Sequence, residues 1–216
     1  MIINKPKISN LLNRQLELTI LPTEKCNLDC IYCYEDFKIG KMDAKYVEAI
    51  KKLINIRAPE LEKLTIQWFG GEPLLGYSII MDIMHHVNEL QNLYSRIKLI
   101  STITTNAYLL SPNKLSELVS LGVNEYQITF DGDKTEHDKL RIRRGDMGGS
   151  FDNIWNNIVS AHHNLIFQQC YYHCKVQLCI YLSYHQRVLY TQMVLQHSIH
   201  NQVFLCICQY LGILIQ

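Results

Sequence analysis

Four β-forming stretches recur along the first 130 residues, each running into polar or glycine-rich residues. Leu16-Glu-Leu-Thr-Ile-Leu21 alternates and ends at Pro22, which reads as a strand followed by a loop. Leu64 to Phe69 runs into Gly70-Gly71-Glu72-Pro73, the β-branched run Ile97 to Thr105 ends at Asn106, and Val123 to Phe130 stops at Asp131-Gly132. Helical spacing fills the intervals. Met42 to Ile56 places Val47, Ile50, Leu53 and Ile54 on one face with Asp43 as its start, and a second helix spans about Ser78 to Leu93. Ser111-Pro112 opens a third, with Pro at the first helical position, and Phe151 to Ser160 begins a fourth. His85 and His86 fall on the solvated face of the second helix. Repeated βα units demand parallel strands joined by right-handed crossovers, and such folds place ligands beyond the strand ends. Four units are too few to close an eight-stranded barrel. The expected fold class is therefore α/β, an open or partial (β/α) barrel.

The chain has 216 residues, 48% hydrophobic and 19% charged, enough for one globular domain with a sizeable core. A net charge of +1 gives no electrostatic case for nucleic acid or an anionic membrane surface. The polar start MIINKPKISN lacks the apolar segment of a signal peptide, and no long uncharged apolar run suits a membrane span. Eight cysteines without a secretion signal point to a reducing cytoplasm and to metal binding rather than disulfides.

Composition breaks near residue 160. All 20 acidic residues precede the break, the last being Asp152, and beyond Ser160 only Lys175 and Arg187 are basic. The segment 161–216 concentrates His, Cys, Tyr and Gln, with no Pro and one Gly, Gly212. A metal-rich accessory segment, a membrane-proximal helix and out-of-frame translation all compete to explain this. The spacings C-x3-C, C-x4-C and C-x-C match no zinc template, and the apolar run from Val203 to Ile215 is short and interrupted by Gln209. Out-of-frame translation accounts best for so abrupt a change. The division expected is a core over 1–160 and an irregular, atypical tail over 161–216.

Cys26, Cys30 and Cys33 form a C-x3-C-x2-C run in the loop after the first strand. Thiolates this close in sequence can gather round one metal centre with little loop entropy. Three protein ligands are one short of a four-cysteine set, which leaves one coordination position open for chemistry.

Thr23 to Glu35 resembles the cluster loop of radical S-adenosylmethionine enzymes, within them most of all the sulfatase-maturing and peptide-modifying (SPASM) branch. The resemblance continues through Trp68-Phe69-Gly70-Gly71-Glu72-Pro73-Leu74, Thr104-Thr105-Asn106, Ile128-Thr129-Phe130-Asp131-Gly132, His137-Asp138 and Arg141, covering roughly residues 15–160. It implies the partial (β/α) barrel of that family. It also implies a [4Fe-4S] cluster on Cys26, Cys30 and Cys33, with the fourth iron left for the methionine end of S-adenosyl-L-methionine; a zinc or redox thiol cluster is the alternative. Tyr32 is then expected to contact the adenine, and Glu72 to accept from the cofactor's ammonium group. Gly70 and Gly71 would let a ligand approach the backbone, and Pro73 would stiffen the exit. Asn106 is a candidate polar contact to the cofactor. Thr129 and Asp131 are placed to bond ribose hydroxyls or polar substrate groups, and Arg141 to pair with the cofactor carboxylate. Each of these has a plainer reading as packing or as a cap. His137 and Asp138 are as suited to fixing loop geometry as to touching a ligand.

By the same resemblance the reduced cluster cleaves the sulfonium to methionine and a 5′-deoxyadenosyl radical, which abstracts hydrogen from a peptide or protein substrate. A low-potential electron donor such as flavodoxin or ferredoxin and an anaerobic setting go with that chemistry. The tail cysteines do not fall in the family's auxiliary-cluster pattern. The cofactor half of the site is present and the substrate half largely absent, so the activity of this chain is in doubt. An inactive fragment, or a non-enzymatic metal-binding or electron-transfer module, are the competing readings.

Overall fold

The computed structural model describes residues 14–167, 175–184 and 187–196, with side chains through residue 160. The polar start at residues 1–13 and the His and Cys side chains of the tail lie outside this description. The sequence periodicities become elements with small shifts in their ends. They are β1 (Gln15–Ile20), β2 (Leu28–Cys30), α1 (Ala44–Arg57), β3 (Lys63–Trp68), α2 (Tyr77–Leu93), β4 (Lys98–Thr105) and α3 (Pro112–Ser120). After these come β5 (Val123–Phe130), α4 (Lys134–Leu140), β6 (Arg141–Arg143), α5 (Phe151–Phe167), β7 (Lys175–Tyr184) and β8 (Arg187–Gln196).

The main sheet has the order β1-β3-β4-β5-β7-β8. Each pairing from β1 through β7 is parallel, and β8 returns antiparallel beside β7. A chain of βα units can reach this arrangement only by crossing over the sheet with each helix. The sheet does not stop at β5, the last of the four strands expected from the sequence. Its unpaired backbone groups are met by β7, so the tail is strand-forming in part rather than wholly irregular. Among the described residues no helix is long and apolar enough to cross a membrane.

Burial follows the expected faces. Every second residue of β3 (Leu64, Ile66 and Trp68) is buried, and α2 turns Ile80, Ile83, Met84, Val87 and Leu90 inward. Trp68 solves its one polar problem by donating Nε1–H to Ser101 Oγ at 3.1 Å. Asp43 caps α1 by accepting from Lys45 N at 3.2 Å, and Ser111 caps α3 with Pro112 behind it. His85 is exposed, and His86 reaches Asn55 Oδ1 at 2.9 Å.

Besides the short helix α4, capped by Asp133 accepting from Glu136 N, two local features escaped the sequence reading. The cysteine segment β2 pairs antiparallel with β6, placing Cys30 opposite Arg141 and Leu28 opposite Arg143. A 3-10 turn, Pro73–Gly76, leads from the glycine motif into α2. Both arise from long-range pairing or turn geometry, which periodicity does not report.

Because Ile83 is fully buried between α2 and the sheet, Ile83→Ala is expected to cost about 2–5 kcal/mol. Urea unfolding would show a lower midpoint at unchanged slope. A loss below about 0.5 kcal/mol would mean that α2 does not seat there.

Candidate functional site

A cavity of about 190 Å³ opens at the C-terminal ends of the parallel strands. Cys26, Cys30 and Cys33 line it, together with Tyr32, Gly70, Gly71, Asn106, Thr129 and Arg141. These came from four separate sequence motifs. Glu72, Pro73 and Asp131, also singled out in sequence, are not in the lining. Thr104, Thr105, Phe69, Tyr34 and Glu35, which stood within the sequence motifs but were given no role, line it as well.

The cysteine loop is fastened to the glycine turn by backbone alone. Phe69 N donates to Ile20 O at 3.0 Å, Gly71 N to Thr23 O at 3.4 Å and Glu72 N to Lys25 O at 3.0 Å. A Cβ on Gly70 would lie 2.4 Å from Thr23 O, and Gly70 has φ +117°, a conformation that side chains rarely adopt. On Gly71 a Cβ would lie 2.2 Å from Glu24 O. The glycines therefore admit the cysteine loop itself, besides presenting an open edge to the cavity.

Glu72 is wholly buried. Its Oε1 accepts from Thr105 Oγ1 at 2.7 Å and Leu74 N at 3.0 Å, and its Oε2 from Asn106 N at 2.8 Å. Burial raises its pKa, and these three donors work against the rise. The carboxylate thus ties the end of β3 to the end of β4. Pro73, also buried, begins the 3-10 turn at a position that needs no N–H.

On the opposite wall, Arg141 Nε donates to Asp131 Oδ2 at 2.6 Å, and both side chains are buried. The Tyr32 hydroxyl donates to the same oxygen. Burial opposes the charge of Arg141, but Asp131, Tyr32 and Cys30 together more than offset this and its pKa is raised. Beneath the pair, Asp131 N donates to His137 Nδ1 at 3.4 Å, and the Ser150 hydroxyl donates to Arg141 O at 2.9 Å. The 3.1 Å contact between His137 Nε2 and Ser150 Oγ must then be an Nε2–H donation, which fixes a neutral ring. Asp138 Oδ1 accepts from Ser150 N and Phe151 N, both at 2.8 Å, at the start of α5. His137 and Asp138 fix loop geometry.

The thiols are shaped by the same surroundings. Burial pushes Cys26 up to about 11, against a lowering contribution from the Leu28 N–H. Burial also raises Cys30, with Arg141 opposing. Cys33 is exposed. Among the described residues no three His, Cys, Asp or Glu side chains are gathered closely enough to enclose a single metal ion. The cysteines share a cavity wall and do not form a ready-made cage. A metal centre that takes Cys26 and Cys30 must displace their protons.

Two expectations follow from this geometry. Gly71→Ala should destabilise the chain by about 1–3 kcal/mol through collision with the Glu24 carbonyl, whereas Gly40→Ala, with nothing within 4 Å, should stay within about 0.5 kcal/mol. Equal urea midpoints for the two variants would remove the backbone docking from the account. Separately, burial holds His137 down to about 4 from 6.5, with Arg141 adding to the fall. The unfolded chain then binds the proton more readily, so the stability conferred by neutral His137 is complete above pH 6.5. It is lost as pH falls toward 4, by about 3 kcal/mol in all. Urea titrations across that window should show a slope that His137→Gln flattens. An unchanged slope in the variant would place the titrating group elsewhere.

Residues 20–172 match the Radical SAM superfamily. An uncharacterized protein of Methanocaldococcus jannaschii is 31% identical over 152 residues, spanning 69% of this chain and 50% of that protein. The GTP 3′,8-cyclase of Heliobacterium modesticaldum is 30% identical over 67% of this chain and 41% of its own length. For the PqqA peptide cyclase of Gluconobacter oxydans the figures are 29%, 56% and 31%. In fold the chain resembles native anSMEcpe with bound AdoMet and Kp18Cys peptide, with a TM-score of 0.60 at 22% identity over 77% of this chain and 42% of that one. The chain spans about half the length, or less, of these curated relatives. With the family match running across the cysteine loop and through all four motifs, this chain belongs to the radical SAM superfamily.

Proposed function

We propose that this chain carries the cofactor-binding part of a radical S-adenosylmethionine enzyme of the sulfatase-maturase and peptide-maturase branch, acting on a peptide or protein. Membership of the superfamily implies an iron–sulfur cluster and S-adenosylmethionine. The observation that carries the reading is the meeting of Cys26, Cys30 and Cys33 on one cavity with Gly70, Gly71, Asn106 and Arg141. Three soft donors spread along a wall suit a multi-iron [4Fe-4S] cluster better than one ion, and they leave one iron for the cofactor. When bound, the reduced cluster and S-adenosylmethionine supply one-electron chemistry for taking a hydrogen atom from a substrate carbon.

The residues of this chain hold and orient. Arg141 spends Nε on Asp131, which leaves its terminal nitrogens for the cofactor's carboxylate. Asp131 serves the cavity through Arg141 and Tyr32, and Glu72 serves it through the Asn106 backbone. Thr129 and the ring of Tyr32 offer contacts to the ribose and adenine. In this reading the cofactor site lies wholly within residues 1–160, the tail 161–216 supplies no ligand, and a low-potential flavodoxin or ferredoxin delivers the electron. The peptide substrate is supported by the likeness to PqqA peptide cyclase. The likeness to GTP 3′,8-cyclase makes a nucleotide the second reading.

Anaerobic reconstitution with iron and sulfide tests the proposal. The chain should take up about four irons with a brown chromophore, and replacing Cys26, Cys30 and Cys33 together by Ala should abolish it. A chromophore retained in that variant would assign the metal to other cysteines. A zinc module would give no colour, and an electron carrier would give colour without cleavage of S-adenosylmethionine.

A further inference from the structure

The hydrogen bonds around the Asn106 side chain leave its orientation no freedom. Its backbone N–H is held by the buried Glu72 carboxylate at 2.8 Å. Its side-chain oxygen accepts from Tyr108 N at 2.9 Å, so the amide nitrogen must face the other way. On that side lie Asn27 Oδ1 at 2.9 Å and Cys26 Sγ at 3.7 Å. One amide hydrogen is committed to Asn27, and the second faces the sulfur. Leu28 N approaches the same sulfur at 3.4 Å. Cys26 Sγ here stands for the thiolate that would bind iron. As a thiol it makes a weak 3.9 Å contact to Asn27 Oδ1, which ends on deprotonation and leaves the sulfur with N–H donors.

We propose that Asn106 tunes the reduction potential of the iron–sulfur centre by donating to Cys26 Sγ, a role separate from any contact with S-adenosylmethionine. The inference rests on the cluster assignment above. Reduction adds one electron to the centre and deepens the negative charge on its thiolates. An N–H aimed at sulfur therefore stabilises the reduced form more than the oxidised form and raises the potential. The donor's precision comes from elements remote in sequence. Glu72 at the end of β3 fixes the Asn106 backbone, and the Tyr108 amide fixes which end of the side chain is turned to Cys26. Glu72 is in this sense a positioning residue for the centre, though it does not line the cavity.

The test uses the full chain, reconstituted with iron and sulfide and titrated anaerobically against an electrode potential without S-adenosylmethionine. A residue that only contacts that cofactor would leave this measurement unmoved. Asn106→Ala and Asn106→Leu, both uncharged, should lower the midpoint potential, raising the oxidised-to-reduced ratio at fixed potential by about threefold to tenfold. Tenfold corresponds to about 59 mV for one electron. Asn106→Leu keeps the volume, the net charge and the backbone bond to Glu72 while removing the donor, so it carries the test if the Ala variant does not fold. Unchanged or raised potentials in iron-loaded variants would overturn the inference while leaving the cluster assignment standing. Failure of the unaltered chain to bind iron would instead overturn the assignment and the inference with it. If neither variant loads iron, pulsed EPR of the reduced unaltered protein with ¹⁵N-labelled asparagine side chains decides the matter. A resolved ¹⁵N coupling supports the donation and its absence rejects it.

Discussion

The cavity exists because two stretches of backbone touch where no side chain could stand between them. The loop from Thr23 to Lys25 lies against Gly70 and Gly71 so closely that a Cβ at either position would meet a carbonyl oxygen at 2.4 Å or less. The hydrogen bonds from Phe69, Gly71 and Glu72 to this loop and the end of β1 stitch the contact. Loop position decides where the cysteines point, and so the cysteine wall depends on two missing methyl groups. Pairing of β2 with β6 secures the other side, so that the thiols are framed between the glycine turn and Arg141.

Around that frame the polar groups are buried in closed sets. Glu72 would be a costly buried carboxylate without its three donors, and with them it becomes a brace between strand ends. Asp131, Arg141 and Tyr32 form a second set, supported by the neutral His137 and by Ser150. Phe130 and Phe151 pack against the buried histidine, with ring centroids 5.3 and 5.4 Å away, and Trp155 stacks on Phe151. Such networks hold side chains to one geometry because every alternative leaves a buried donor or acceptor unpaired. Asn27 Nδ2 and Arg143 Nε are exceptions near the site, buried without partners among the described residues.

The parallel sheet explains why chemistry-bearing residues collect at one end. Each βα unit delivers a turn to the C-terminal side, so motifs more than 20 residues apart meet within one cavity. Membership of the radical SAM superfamily fits that geometry, and the relatives' names divide between peptide and nucleotide substrates.

The order of strands and helices, the caps at Asp43 and Ser111, and the three thiols were legible in the sequence. Each is set by local physics: a periodicity, a side chain reaching its own backbone, a short ligand spacing. The motif positions also gave most of the cavity lining. What the sequence alone did not contain was which polar residues face the cavity and which stand behind it. Glu72 and Asp131 look like open ligands in a motif, but tertiary packing supplies partners from other segments to both oxygens of Glu72 and to Oδ2 of Asp131. The strand pairing on the edge of β5 and the β2–β6 ribbon were likewise decided only by folding, since a backbone hydrogen bond carries no residue signature. Asn106 marks the boundary between the two. Its place after a strand was written in the chain, while the direction of its amide was set by a backbone N–H two residues on and a carboxylate 34 residues back.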